Sequence, residues 1–283
     1  MKPLSKLGIA SLFVAGAAGA AAFLSYRKAM KEAGAAWDRI ASRRTAAPAR
    51  YDPAMVADLP EVAQRYFNHA IAPGTPLRKT VRIEMRGTFL LGDRHRHQSY
   101  RMTARQILAP PSSFVWLPRM WSGPVSISGS DALVDGTAWT RFWLLGLVRV
   151  ADEAASPDLV RSATFRSTME AVWAPASLLP ENGVRWEQIG PHEARITVES
   201  VTPAIVMEMS LTADGTVREI VGMRWSNANP EKEFRLQPFG GTIKSEGMFE
   251  GFTIPTRVNA GNHFGTDDYL PFFQAEVVKA TYR

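Results

Sequence analysis

From residue 80 to the C-terminus, apolar and polar side chains alternate with a period of two, and one stretch breaks that rhythm. In 80–91, Val81, Ile83, Met85, Phe89 and Leu91 alternate with Arg82, Glu84, Arg86 and Thr88, the pattern of a half-buried strand. Further strands are predicted at 95–108, 114–117, 125–128, 132–134 and 138–150, the last apolar on both faces as for a central strand. A second series covers 184–189, 194–199, 204–212, 217–226, 234–239, 241–246, 256–264 and 274–282, with Asp135-Gly136 and Asp214-Gly215 as hairpin turns. The breaks between strands are too short for crossovers, so the sheet is expected to be antiparallel.

The exception lies at 156–190. Ser156-Pro157-Asp158 opens a helix with a capping hydroxyl, a proline at the first helical position and an acid in the first turn. Ser162, Phe165, Met169, Val172 and Ala176 then recur every three or four residues, with Arg161, Arg166 and Glu170 off that stripe. Pro175 bars Ala174 from the helix, so the helix is predicted over 157–173. One amphipathic helix among about a dozen strands must bury its stripe on the sheet. The expected fold is mainly β (α+β): a curved antiparallel half-barrel with a plugging helix.

The N-terminus has another pattern. Leu7 to Leu24 is a charge-free run of 18 residues flanked by Lys2, Lys6, Arg27 and Lys28. Its length suits a minimal transmembrane helix or a signal-peptide core. Small residues around Ala15–Ala20 offer cleavage sites, but Phe23 and Leu24 extend the apolar run past them, which argues for an uncleaved anchor. Three parts follow: an anchor or signal at 1–26, a basic juxtamembrane stalk and linker at 27–57, and the β domain at 58–283. A short helix opens that domain, with Leu59, Val62, Ala63, Tyr66 and Phe67 on one face.

Charge sharpens this division. Residues 1–50 hold nine basic and two acidic side chains, whereas the remainder holds 24 basic and 25 acidic ones. The β domain therefore has no basic excess to offer nucleic acid, and membrane lipids are the partner expected for the basic arm. More positive charge follows the apolar run than precedes it, which favours a cytoplasmic domain. A large domain can nonetheless be translocated behind a weakly charged N-terminus, so both sides stay open. The absence of cysteine excludes disulfides, thiolate metal sites and a cysteine nucleophile.

A further set of segments stands out: Leu59-Pro-Glu-Val-Ala-Gln-Arg-Tyr66 with Pro73-Gly-Thr-Pro76, Phe114-Val-Trp116, Leu144-Leu-Gly-Leu147, Ala171-Val-Trp-Ala-Pro175 with Leu178-Leu-Pro180, Gly183-Val-Arg-Trp186, Phe239-Gly-Gly241, Gly251-Phe-Thr-Ile-Pro-Thr-Arg257 and Pro271-Phe-Phe273. Together they resemble an uncharacterised bacterial family of membrane-anchored proteins with a domain of unknown function. The resemblance spans about residues 58–283 and brings no catalytic residues. It implies a bacterial inner-membrane location, single-pass, with a periplasmic domain the preferred of the two sides. The architecture also resembles the half-barrels of periplasmic lipoprotein carriers of the Lol type, in which a curved sheet holds acyl chains against plugging helices.

Chemistry-bearing motifs are sparse. His95-Arg-His97 would share a strand face, with Asp93 or His69 as a further ligand, but Arg94, Arg96 and Arg101 oppose a cation there; no metal site is assigned. No nucleophile elbow, dinucleotide fingerprint or phosphate loop is present, and no cofactor is implied. The apolar signal is stronger. Met85, Trp139, Trp143, Phe165, Met169, Met207, Met209, Met223 and Trp225 are the candidate lining of a ligand cavity, or equally the packing beneath the helix. The leading expectation is non-enzymatic: binding or shuttling of a lipid-like ligand, or a lipoprotein, at the membrane. The alternative is an envelope interaction module whose core is filled by its own side chains. A hydrolase with an active site assembled only in the tertiary structure stands third.

Overall fold

A computed structural model describes the backbone of residues 6–43 and 47–283, and side chains from residue 19 onward within those ranges. The alternating segments pair nearly in the order they occur. β1 (Val81–Gly92), β2 (His97–Ala109), β3 (Ser113–Ser122), β4 (Val125–Val134), β5 (Thr137–Leu144) and β6 (Val148–Glu153) form one antiparallel meander. β7 (Val184–Gln188), β8 (Glu193–Val198), β9 (Ile205–Leu211), β10 (Val217–Ser226), β11 (Arg235–Phe249), β12 (Phe252–Asn262) and β13 (Leu270–Tyr282) form a second. β13 pairs with β1 in mid-sheet, joining the two meanders into one curved 13-stranded sheet.

This order leaves β6 and β7 on opposite edges. Every other connection between strands spans only two to eight residues, so 154–183 is the one link that must cross the whole sheet. It crosses as α3 (Pro157–Met169) followed by 3-10 turns at Glu170–Trp173, Pro175–Leu178 and Pro180–Asn182. The helix starts as its sequence dictates, with Ser156 Oγ accepting from the Leu159 N–H at 3.1 Å. It stops earlier than the predicted 173. The chain tightens to 3-10 geometry after Met169, and Ala174, placed before Pro175, leaves the helical region at φ −134°.

The predicted strand at 138–150 is in fact two. Leu145 and Gly146 both have positive φ (54° and 70°), which makes the primed turn that suits a tight hairpin. β5 and β6 are thus the final strands of one edge rather than a central strand. Conversely, the two segments predicted at 125–134 form the single β4, and those predicted at 234–239 and 241–246 merge, from Arg235 on, into the single β11, bulged between Ile243 and Glu246.

Each face of the sheet carries its own core. The inner face packs against α3, the 3-10 turns and α2 (Glu61–Ala70), whose Val62, Ala63, Tyr66 and Phe67 are buried as their spacing predicts. The outer face packs against α1 (Lys6–Ser42) through Ala33, Ala36 and Ile40, set on Ile107, Val115, Ala132, Val134 and Trp139. The alanines let the helix axis approach the strands closely. Arg43 bonds Asp135 at 2.5 Å and Glu32 accepts from Arg141 at 2.7 Å, so this part of the predicted stalk is docked on the domain. The apolar run from Leu7 lies in the same helix, but the side chains of 7–18 fall outside the described residues. Among the described residues, no helix is long and apolar enough to cross a membrane.

Candidate functional site

The crossing segment does not fill the hollow. Between α3 and the inner face lies a cavity of about 670 Å³, within the range of about 300–1,000 Å³ typical of small-ligand sites. Its walls are largely aromatic: Phe89, Trp116, Phe142, Phe239, Phe272 and Phe273 from the strands, with Met169, Val172 and Trp173 as the roof. Leu91 and Val150, 39% and 51% exposed, mark the rim. The rings contact one another edge-on or tilted, with centroids 5.4 Å apart for Phe89–Phe272 and 6.2 Å for Trp116–Phe273. One glycine lets the roof sit low. A Cβ on Gly222 would meet the Phe165 ring and the Val206 carbonyl at 3.0–3.1 Å, so the bare backbone admits Phe165 against Phe239.

Four ionised side chains line this apolar space: Asp131, Arg166, Glu170 and Arg224. Arg166 Nη1 donates to Asp131 Oδ2 at 2.5 Å and its Nε donates to Glu170 Oε1 at 2.8 Å. Thr140 Oγ1 donates to Asp131 Oδ1 at 3.0 Å, and Gln106 Nε2 donates to Glu170 Oε2 at 2.5 Å. The Arg166 guanidinium also lies 4.5 Å from the Phe114 ring and 5.1 Å from the Trp116 ring. Burial would depress Arg166, but Glu170 and Asp131 outweigh it and hold its pKa above the usual arginine value. Arg224 is held otherwise. Its Nε donates to Ser162 Oγ at 3.1 Å, and burial, reinforced by the charge of Arg166, lowers its pKa to about 10.

The structure scatters the residues singled out from the sequence. Met169 lines the cavity, and Phe165 packs just behind its wall on Phe239. Met85, Met207 and Met209 are buried in the inner core away from the opening. Trp139 faces α1 on the outer side, and Trp143 packs edge-on to Tyr26 of the same helix at 5.5 Å. Met223 is half exposed, while Trp225 bonds Asp158 and lies 4.2 Å beneath the Arg161 guanidinium. The sequence reading left Arg166 and Glu170 off the apolar stripe and gave them no role; both line the cavity. Their i, i+4 spacing, and Asp131 as the one charged residue of β4, were the available signals.

The remaining polar motifs are accounted for locally. Asp93 Oδ1 accepts from the backbone N–H groups of His95 and Arg96 at 2.8 Å each, closing the exposed β1–β2 turn. Those bonds hold the Asp93 carboxyl below its usual range. His69 lies elsewhere, 2.6 Å from Glu246, and among the described residues no hydroxyl is hydrogen-bonded to it. Also among the described residues, no group of three or more His, Cys, Asp or Glu could hold a metal ion.

An open antiparallel sheet roofed by a crossing helix, with an apolar cavity between them, defines the class of this molecule. The chain belongs to a family of unknown function, DUF6544, whose model matches residues 49–275. No curated protein sequence matches it. Among solved structures it is similar to a LolA superfamily protein of Nitrosomonas europaea, at 8% identity over 78% of this chain and 92% of that one, with a TM-score of 0.39. It is also similar to an outer membrane lipoprotein-sorting protein domain of Vibrio parahaemolyticus, at 10% identity over 72% and 85%, TM-score 0.39. A DUF1329 family protein of Desulfovibrio piger follows, at 8% identity over 78% and 90%, TM-score 0.32.

Proposed function

We propose that this protein is a membrane-anchored binder of a lipid-like apolar molecule in the bacterial cell envelope, with the run from Leu7 to Leu24 as its anchor. The observation that carries the reading is the cavity itself: about 670 Å³ of largely aromatic-lined space left open under a helix that otherwise plugs the sheet. A module that needed only a filled core would have no use for that opening.

The surface beside the cavity supports the membrane part. The β5–β6 hairpin exposes Leu145, Leu147, Val148 and Val150, each 45–57% accessible, and Phe23 and Leu24 of α1 are exposed at 46% and 65%. The two segments are neighbours, since Tyr26 packs on Trp143 and Arg149 donates to Ser25 Oγ at 2.8 Å. Leu145 is the telling residue. A left-handed conformation costs a non-glycine residue about 1–2 kcal/mol, and asparagine or aspartate usually fills such a turn. A leucine there, held in water at 56% exposure, makes sense where the tip meets lipid. Val150 belongs to both the hairpin and the cavity rim, so a ligand leaving a bilayer at the hairpin would enter directly.

Native mass spectrometry of the full-length chain, released from nanodiscs of phosphatidylethanolamine and phosphatidylglycerol, tests this. The expected result is a bound lipid-sized mass that disappears on organic extraction. A clean unliganded mass, together with no uptake of a fluorescent fatty acid, overturns the reading.

A further inference from the structure

The cavity's charged groups are unevenly satisfied. Each of the four carboxylate oxygens of Asp131 and Glu170 already accepts one donor, from Thr140, Gln106 or the two ends of Arg166. Arg224 has no carboxylate within 4.0 Å among the described residues, and only its Nε is bonded, to Ser162. Its two Nη groups therefore bring up to four N–H donors to an apolar cavity with no protein acceptor assigned to them. The Phe239 ring lies 5.3 Å from the guanidinium carbon and holds the fork over the aromatic wall.

Resting on the lipid-binding reading above, we infer that the cavity selects amphiphiles with an anionic oxygen head, a carboxylate or a phosphate monoester, seated on the Arg224 Nη groups with the tail along Phe239, Phe272 and Phe89 toward Leu91. A planar guanidinium fork matches such heads with two parallel charge-assisted bonds. A cationic head would have to share carboxylate oxygens that each already accept a donor, and a neutral ester would leave the half-buried charge of Arg224 without a counter-ion. The lowered pKa of Arg224 agrees, since desolvation and the nearby Arg166 make its charge costly to hold until an anion arrives.

The test uses the full-length protein in phosphatidylcholine nanodiscs, titrated with anthroyloxy-labelled stearic acid and with its methyl ester, empty nanodiscs serving as blanks. Energy transfer from Trp116 and Trp173 in the cavity wall reports binding. The acid is expected to bind roughly tenfold to a hundredfold more tightly than the ester, the strength of a charge-assisted pair. Arg224→Gln should erase that difference by weakening the acid while the ester binds at least as tightly as before, and Arg224→Lys should restore part of the preference for the acid. Equal binding of acid and ester by the natural protein overturns the inference, as does an Arg224→Gln variant that weakens both alike. Failure of both probes to bind overturns the lipid-binding reading itself. Displacement of the bound acid by palmitate or by hexadecyl phosphate then identifies which anionic head the fork prefers.

Discussion

At one end of the inner face Tyr66, Phe67 and Trp186 lock together with ring centroids 5.1–5.3 Å apart, and Phe252 and Tyr282 lie 4.2 Å apart. At the other end Phe89, Trp116, Phe142, Phe239 and Phe272 stand 5.4–6.3 Å from their ring neighbours around an open space. Both ends lie under the same crossing segment, and both are rich in aromatic side chains. The difference is what else arrives. α2 and the 3-10 turns bring a second layer of apolar side chains to the closed end, and the Trp186 indole N–H is satisfied by the Leu178 carbonyl at 2.9 Å. The open end receives two arginines and two carboxylates instead. Burying such charges is a poor route to stability compared with apolar packing, so the open end is better explained by binding than by folding.

Truncation at the two ends gives the largest contrast. Trp186→Ala should destabilise the protein by about 3–5 kcal/mol, because it removes a fully enclosed ring and strands the Leu178 carbonyl. Phe142→Ala, at the wall of an existing cavity, should cost only about 1–2 kcal/mol. Urea midpoints measure both, and equal losses would mean that the open end is packed as tightly as the closed one.

Arg166→Met sharpens the contrast from the charged side. It leaves Asp131 and Glu170 without their cation and should cost about 3–5 kcal/mol near neutral pH. Neutralising the partners in the same chain, with Asp131→Asn and Glu170→Gln, should recover part of that loss in urea midpoints, since no charge is then left unpaired. No recovery in the triple variant would show that Arg166 acts through shape alone.

The smallest effect belongs to the closed end's own ion pair. The hydrogen bond to Glu246 is the main cause of a His69 pKa raised above 6.5, so the folded state favours the imidazolium. The resulting stability is fully present below the unfolded value near 6.5 and is lost as pH rises through the higher folded value. His69→Gln should therefore lose on the order of 1 kcal/mol in acid and progressively less in alkali. Urea midpoints of both proteins from about pH 5 to about pH 9 check it; a gap that widens with pH reverses the assigned sign.

Much of the fold was legible because local rules produced it. Ser156-Pro157 started α3 where capping chemistry requires, and the stripe of Phe165 and Met169 faced the sheet as its period demands. Errors arose where two rules shared one pattern. Leu144-Leu145-Gly146-Leu147 is apolar throughout and reads as strand, yet Gly146 and a left-handed Leu145 turn it into a hairpin. The site was harder to see. Trp139 and Met169 are equally good cavity residues by type, and only the packing of α1 and α3 on opposite faces of the sheet covers one on the outer face and sets the other over the cavity.

By itself the sequence determined the antiparallel β character, the single crossing helix, the charge-balanced domain and the apolar N-terminal run with its basic flanks, because each follows from the content and spacing of side chains along the chain. Tertiary structure decided that β6 and β7 lie on opposite edges, so that α3 must cross the sheet, and that the crossing leaves one end open. It also brought Gln106, Asp131, Arg166, Glu170 and Arg224, from five separate elements, around one space. Whether a cavity exists and which charges face it depend on distances between residues far apart in the chain, which no local period encodes.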